Sequence, residues 1–233
     1  MLPGLIPYVT RVLKLPTIVV VLTSGDAHPA IQPPGERSLR ENETRRAAWA
    51  YGLPNEPIFG RFRDGAAQQT LERNWEIWGG ENEAARFLAQ MIRAHRPDVI
   101  ATHGFDGEYS HPNHIGTALS TTKACAWAGT AEAFPVESGG PATWTPKKIY
   151  VHNWHTRSVE YKWEIPVPGL EGKTCFDLGS EGSRHHASQG IGYIPFKTKT
   201  TKMGLYVTTV GPDTKKIDMF DNIDLGVYRP AAK

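Results

Sequence analysis

Short apolar runs alternate with helix-forming segments along the first half of the chain. Residues 18–22 and 97–102 are apolar and rich in β-branched side chains, which is typical of strands that a parallel sheet buries on both faces. Residues 36–51 and 82–94 are typical of helices, since Gly52 follows the first and the second carries an apolar stripe. This alternation predicts the α/β class, as a Rossmann-like three-layer fold with a mostly parallel sheet.

Two further helices are predicted in this half. Residues 7–15 form a short amphipathic segment that a proline ends. Pro112 suits the first turn of a helix, Ser110 or His111 can cap it, and residues 115–127 are rich in helix-forming side chains. The predicted strand at 97–102 therefore leads through a glycine-containing loop into a helix.

The pattern changes after residue 129, where Gly, Pro, Trp and Tyr become frequent and helical periodicity fades. No linker rich in charge, Ser or Gly separates the two parts, so we expect a single domain over residues 1–233. It would consist of a Rossmann-like core at 1–130 and a β- and loop-rich extension at 131–233. Strands are expected in this extension at residues 148–152, 159–165, 206–210 and 217–220.

The composition of the chain indicates which classes of molecule it is not expected to bind. The chain has 233 residues with a formal net charge of +2 and 39% hydrophobic residues, which suits a globular domain with a substantial core. No run of Lys and Arg marks a nucleic-acid surface, so nucleic acid is not an expected partner. The longest apolar run, residues 18–22, is too short to cross a bilayer, so no integral membrane segment is expected. The sequence leaves open whether the chain forms a homo-oligomer.

The two cysteines, Cys125 and Cys175, form no CxxC pattern and each stands among apolar residues. Buried free thiols are the ordinary interpretation of such positions. A reducing compartment, the cytoplasm, is therefore the expected location.

Candidate chemistry lies where the strand at 97–102 leads into the next helix. His111 and His114 are three residues apart, so that both can face the same space on one helical turn. In open α/β sheets, ligands bind outside the carboxyl ends of the strands. One histidine could then hold a metal while the other donates a proton. The alternative from the residues alone is that one histidine caps the helix and the other is solvated.

The segment RPDVIATHGFDGEYSHPNHIGTAL, at residues 96–119, resembles the second signature of the LmbE-like (PIG-L-like) N-acetylglucosamine deacetylases. In that family a strand ending in RPDVV leads to YxHPDH or SxHxNH. Four other segments resemble family elements in the same order, and together they span most of residues 17–190. They are TIVVVLTSGD at 17–26, LRENETRRAAWAYG at 39–52, Arg63-Asp64-Gly65, and His186-Ala187-Ser188-Gln189.

One family element is missing. Members open with a strand and AHPDD, whose His and second Asp bind zinc and whose first Asp acts as the general base. Residues 27–30 contain His28-Pro29, but Ala30 and Ile31 stand where carboxylates are needed. We therefore expect His28 to be a loop residue, and we expect the chain to begin after the first strand and its AHPDD loop.

The resemblance implies roles for the residues of the HPNH segment. His114 matches the third zinc ligand, and His111 matches the residue that donates to the oxyanion or to the leaving amine. Tyr109 is placed to polarise the same carbonyl. Asn113 replaces the Asp of HPDH, so it could hold a ligand histidine but cannot act as a base.

The resemblance also implies a sugar pocket. Arg40 and Asp64 match positions near that pocket, where a guanidinium and a carboxylate can bind hydroxyl groups. His186, from the HxSQ element, is expected to close over the site. Arg40 could equally well be a surface residue that pairs with Glu36 or Glu43 and has no role in binding.

The implied reaction is zinc-dependent hydrolysis of an acetamido group on a small amino-sugar conjugate, with release of acetate and a free amine. This reaction needs a catalytic zinc site with three protein ligands, and His114 alone cannot replace all three. We therefore expect Zn²⁺ to bind weakly or not at all to this chain alone. The alternative is a non-catalytic carbohydrate-binding relative that has lost the metal site, while a serine hydrolase is disfavoured because no GxSxG elbow is present.

Overall fold

The computed structural model describes residues 4–26, 35–65, 69–136, 139–189, 199–211, 213 and 218–226. By its contacts the chain divides into two compact units. The first comprises Met1–Arg61, Tyr161–Thr201 and Asp224–Lys233, and the second comprises Phe62–Glu160 and Lys202–Ile223. The prediction of a single domain over 1–233 stays a prediction.

The helices and strands alternate through the first half of the chain, as the hydrophobic pattern predicts. In chain order the helices are α1 (Leu5–Pro7), α2 (Gly35–Tyr51), α3 (Leu71–Ile77), α4 (Glu83–His95), α5 (Gly107–Ser110), α6 (Pro112–Ala128) and α7 (Cys175–Ser183). The strands are β1 (Val20–Thr23), β2 (Ile58–Phe62), β3 (Val99–Thr102), β4 (Lys148–His152), β5 (Ser158–Lys162) and β6 (Thr200–Thr208).

In the first unit, α2 packs against α7, and β1 pairs with β2 in a two-stranded sheet. A Cβ added at Gly182 of α7 would come within 2.2 Å of the Tyr51 ring, so glycine allows the two helices to approach closely. The predicted helix over 7–15 is shorter: a single turn, α1, runs into a π-helical turn, Tyr8–Val12. Leu13 caps the end of this turn, and Lys14 follows it with a left-handed φ of 56°.

In the second unit, α4 packs against α6. The buried face of α4 comes from the apolar stripe seen in the sequence, and Arg96 ends the helix in the left-handed conformation with a φ of 49°. The helix predicted to begin around Pro112 is confirmed as α6, in which Pro112 forms the first turn and His111, one of the two candidate caps, caps it. The side chains at the start of α6 are thereby fixed relative to the sheet.

The larger sheet has the strand order β3-β4-β6-β5. β3 and β4 are parallel, with Val99 opposite Lys148 and Thr102 opposite Val151, whereas β4 and β6 are antiparallel. The α/β class is confirmed, and the sheet combines parallel and antiparallel pairs. The strand expected at 206–210 lies earlier, as β6. The strand expected at 217–220 is wrong for Asp218–Phe220, which have no strand structure, and residue 217 lies outside the described residues.

Both cysteines are free and buried, as predicted. Burial raises the pKa of Cys125 to about 12 and that of Cys175 to about 11, which keeps both thiols protonated. None of the described helices has the length and hydrophobicity that a bilayer crossing requires.

Candidate functional site

Two parallel strands deliver histidines to one edge of the sheet. Since Thr102 of β3 lies opposite Val151 of β4, the residues that follow them lie at the carboxyl edge of the sheet: His103 directly after β3, and His152 as the last residue of β4. A Cβ on Gly104 would lie 2.9 Å from the His152 carbonyl oxygen, so only glycine allows the loop to pass this close. Both rings therefore face the loop that joins β3 to α6.

The loop holds an unusual backbone conformation at Glu108. Gly107 has a φ of 66° and Ser110 a φ of 64°, and between them Glu108 has φ 61° and ψ −42°. A side chain at positive φ costs about 1–2 kcal/mol relative to ordinary helix geometry. Contacts elsewhere must offset this cost, and they are made by the Glu108 carboxylate.

The Glu108 carboxylate is the centre of a cluster of histidines. Its Oε1 lies 2.8 Å from His152 Nδ1 and accepts a hydrogen bond from the backbone N–H of Gly104 at 2.9 Å. Its Oε2 lies 2.7 Å from His114 Nδ1 and 3.1 Å from His103 Nδ1. One carboxylate thus holds three imidazoles among the residues that the structure describes.

These contacts decide the protonation of the cluster. Burial opposes ionisation of Glu108, but hydrogen bonds from the three histidines outweigh it and hold the pKa of the carboxyl far below its usual range. Burial lowers the pKa of His103, against the opposing effect of Glu108. The chemistry therefore rests on an ionised carboxylate with neutral His103 beside it.

His111 and His114 carry their protons on opposite nitrogens. An ionised carboxylate only accepts, so the Nδ1 of His114 that faces Glu108 must be protonated, which leaves the lone pair on Nε2. His111 is the reverse, because its Nδ1 accepts a hydrogen bond from the backbone N–H of Asn113 at 3.2 Å and its proton must be on Nε2. His114 thus offers a metal ligand, and His111 offers a hydrogen-bond donor.

The rings stand close enough to act on one ligand. The His114 ring stacks on His103 with 4.2 Å between centroids and on His111 with 4.8 Å. Tyr109 meets His114 edge-on at 5.2 Å and is 64% exposed. Burial raises the pKa of the Tyr109 hydroxyl, with further contributions from Glu108 and Asp64, so it is a protonated donor at neutral pH. The structure brings together three residues predicted from sequence, His111, His114 and Tyr109.

The cluster also contains donors of the kind that zinc prefers. His103, Glu108 and His114 can each offer a ligand atom, and these atoms lie within 4.8 Å of one another. Two imidazoles and a carboxylate form a common donor set of catalytic zinc sites. The residues present therefore fit a zinc-type ion, and the expectation that this chain alone binds Zn²⁺ weakly or not at all stays a prediction.

Asp64 and Asn113 are joined in the same unit. The Asn113 side-chain amide donates to Asp64 and, at 3.3 Å, to the Gly65 carbonyl oxygen, while Gly65 N–H donates to the Asn113 oxygen at 3.3 Å. The side chain of Asn113 thus holds the RDG segment, while its backbone N–H holds the ring of His111. That Asn113 holds the ring of a metal-binding histidine stays a prediction. A contribution of Asp64 to a sugar pocket stays a prediction.

Arg40 and His186 lie in the first unit, and their proposed contacts with substrate also stay predictions. Burial lowers the pKa of His186, against the opposing charge of nearby Glu43. Glu43 accepts hydrogen bonds from the Ser188 backbone N–H at 2.8 Å and from its hydroxyl at 2.6 Å, which fixes the HxSQ element on α2. His28 lies outside the described residues.

Sequence reasoning missed His103, Glu108 and His152. His103 and His152 directly follow or end predicted strands, a signal that becomes specific once those strands are known to be parallel neighbours. Glu108 gave no comparable signal, since its role depends on a loop conformation that residue types alone do not reveal.

Comparison with known proteins agrees with the resemblance seen in the sequence. A 1D-myo-inositol 2-acetamido-2-deoxy-alpha-D-glucopyranoside deacetylase 2 from Saccharopolyspora erythraea is 29% identical over 162 residues, which cover 65% of this chain and 55% of that protein. A related deacetylase from Mycobacterium leprae is 33% identical over 141 residues, which cover 56% of this chain and 44% of that protein. The chain therefore spans about half the length of these relatives.

The fold and the family are both established by such comparisons. An N,N'-diacetylchitobiose deacetylase from Pyrococcus horikoshii has a TM-score of 0.59 at 17% identity, covering 80% of this chain and 64% of that chain, which shows a shared fold. The profile of the PIG-L family, described as GlcNAc-PI de-N-acetylase, matches residues 7–125. Since this match covers just over half of the chain, the chain belongs to the PIG-L (LmbE-like) family.

Proposed function

We propose that the protein is a metal-dependent deacetylase that removes the acetyl group from an N-acetylglucosamine-type conjugate. The observation that carries this proposal is a pair of contacts: Asn113 N–H donates to His111 Nδ1, and His114 Nδ1 faces the Glu108 carboxylate. These contacts assign opposite tautomers, which set a hydrogen-bond donor on His111 next to an imidazole lone pair on His114. Amide hydrolysis needs both functions at one carbonyl, since charge develops on its oxygen as the water attacks.

The substrate class comes from the relatives. Those matched by sequence are named for a 2-acetamido-2-deoxy-glucopyranoside of inositol, and the structural neighbour is named for N,N'-diacetylchitobiose. Both names describe an acetamido sugar joined to a second ring. A small amino-sugar conjugate of this kind is therefore the proposed substrate, with Arg40, Asp64 and His186 as its proposed binding residues.

In the proposed reaction, the Nε2–H of His111 donates to the carbonyl oxygen of the acetamido group and stabilises the charge that develops there. The exposed Tyr109 hydroxyl, kept protonated by its raised pKa, is a second donor to the same oxygen. A zinc ion held by His114 and its neighbours would supply Lewis-acid activation when bound. Glu108 binds protons too weakly to act as a base, so its role is to hold the histidines.

One observation favours a second candidate, a carbohydrate-binding relative without catalysis. Glu108, the carboxylate at the centre of the cluster, is engaged by three histidines and a backbone N–H, which leaves it unsuited to accept a proton from water. Such a protein would bind the sugar and leave the amide intact.

The experiment measures acetate released from N,N'-diacetylchitobiose and from an N-acetylglucosamine–inositol conjugate, with the protein loaded with Zn²⁺. We expect release, and we expect His111→Ala to lower kcat/KM about 100- to 1000-fold, as the loss of one oxyanion donor does. His155→Ala is the control, since His155 is exposed and follows the same strand as His152. Binding of the sugars without acetate release would contradict the proposal and favour the carbohydrate-binding alternative.

A cytoplasmic location is also proposed, supported by the two buried free thiols. We expect both cysteines to be reduced in protein isolated from growing cells.

A further inference from the structure

The two oxygens of Glu108 receive more nitrogen contacts than a structural ion pair needs. His103, His114 and His152 each point Nδ1 at the carboxylate, at distances between 2.7 and 3.1 Å, and the Gly104 N–H adds a fourth contact at 2.9 Å. Since the carboxylate only accepts, each of the three rings must place its proton on Nδ1. The lone pair of each neutral ring is then on Nε2, the atom that faces away from Glu108.

The stacking of the His103 and His114 rings suits the binding of one metal ion by both rings. The His103 and His114 ring centroids are 4.2 Å apart and the rings are inclined by 25°. Both turn Nδ1 toward the Glu108 carboxylate, His114 at 2.7 Å from Oε2, and His103 at 3.1 Å from Oε2 and 3.2 Å from Oε1. Two nearly parallel rings that are anchored through Nδ1 at one carboxylate can both direct Nε2 at a single ion. Histidines that bind metals commonly donate their other ring N–H to a carboxylate, which fixes the tautomer and the ring orientation.

We propose that Glu108 is a positioning residue that holds His103, His114 and His152 in the Nδ1–H tautomer, and that it thereby presents Nε2 of His103 and of His114 as a ligand pair for a divalent zinc-type metal. His103 is then a metal ligand contributed by this chain in addition to His114. His152 anchors the opposite oxygen of Glu108, so it stabilises the carboxylate and does not bind the metal.

The backbone supports a positioning role. Glu108 has a φ of 61°, a conformation that glycine adopts without strain and that other residues adopt at a cost. A residue whose only task was to form the turn would be glycine, as at Gly107 with a φ of 66°. The strain at Glu108 is therefore explained by the placement of its carboxylate among the three rings.

This inference goes beyond the proposed reaction and can be tested without substrate. Histidine ¹⁵N–¹H correlation spectra of the metal-free protein report which ring nitrogen carries the proton. We expect Nδ1–H at His103, His114 and His152, and we expect added Zn²⁺ to shift Nε2 of His103 and His114 while their Nδ1 stays protonated. Perturbation of Nδ1 by zinc would make Glu108 and its partners direct ligands and would overturn the assignment, as would no zinc-dependent change at His103.

Variants separate positioning from a structural role. Glu108→Gln should lower zinc affinity about 10- to 100-fold by calorimetric titration, the usual effect of removing a group that orients a ligand. His103→Ala should lower it further, whereas Glu132→Gln and His155→Ala, both at exposed positions, should leave it unchanged. Glu108→Gly relieves the backbone strain, so it should retain the fold by circular dichroism and still lose zinc affinity.

Two results would contradict the role of Glu108. They are unchanged zinc affinity in Glu108→Gln and an unchanged tautomer pattern in that variant. The proposed deacetylation can fail separately, because a protein that binds zinc through His103 and His114 without releasing acetate would retain this inference and refute the reaction.

Discussion

Replacement of Arg93 by alanine should destabilise the second unit, because it removes hydrogen bonds at the C-terminal end of α6. The histidines lie at the other end of this helix. Arg93 is 3% exposed, and its guanidinium donates to the backbone carbonyl oxygens that close α6 and the turn after it. The acceptors are Ala128 at 3.1 Å, Trp127 at 3.2 Å, Thr130 at 2.9 Å, Phe134 at 2.5 Å and Pro135 at 3.3 Å.

The loss of unfolding free energy can be worked out from the hydrogen bonds that each carbonyl oxygen keeps when Arg93 is replaced. The carbonyl oxygens of Ala128, Trp127 and Thr130 also accept from backbone N–H groups, at 2.9, 3.3 and 3.4 Å, so each keeps at least one hydrogen bond when Arg93 is removed. The carbonyl oxygens of Phe134 and Pro135 depend more directly on Arg93, which donates a hydrogen bond to each of them. Loss of that donor at about 1–1.5 kcal/mol for each of these two carbonyls gives a loss of about 2–3 kcal/mol. In a chain of this size this lowers Tm by roughly 4–12 °C.

Urea and thermal unfolding monitored by circular dichroism measure this loss. Arg86→Ala is the matched control, since Arg86 lies on the same helix, is 52% exposed and pairs with Glu83 at the surface. Its effect should stay below about 0.5 kcal/mol. Equal effects of the two substitutions, or a change below about 0.5 kcal/mol for Arg93→Ala, would refute the assignment of Arg93 as the group that closes α6.

Two further predictions concern buried ionisable groups. The hydrogen bond from Arg61 lowers the pKa of the Glu41 carboxyl, so its stabilising contribution is present above the unfolded pKa and is lost as pH falls through the folded value. Glu41→Gln should therefore cost about 1 kcal/mol at pH 7 in urea unfolding, and a difference that persists at pH 2 would contradict this. Cys125 and Cys175, with pKa values raised to about 12 and about 11, should react with a thiol reagent at pH 8 only after unfolding, and fast labelling of the folded chain would contradict their burial.

Much of the fold followed from local pattern. The helices at 36–51 and 82–94 lie within a residue of α2 and α4, because apolar spacing and a helix end determine such elements locally. The weaker predictions were at the two ends of the chain. The segment at 7–15 forms a π-helical turn, and Asp218–Phe220 lack strand structure, since short apolar runs do not determine their own partners.

The part of the site that lies in one continuous segment was also predictable from local sequence. His111 and His114 were found because a helix start and a family signature are readable over adjacent residues. His103 and His152 needed the parallel pairing of β3 with β4, a contact between segments far apart in sequence. Glu108 needed, in addition, a backbone conformation that its residue type disfavours.

The most direct test of this account is the ring protonation of His111 and His114 in the metal-free protein, read from one histidine ¹⁵N–¹H correlation spectrum. The account predicts the proton on Nε2 of His111 and on Nδ1 of His114, since the first accepts from Asn113 N–H and the second donates to Glu108. The same tautomer at both histidines would remove the adjacent donor and lone pair on which the proposed chemistry depends.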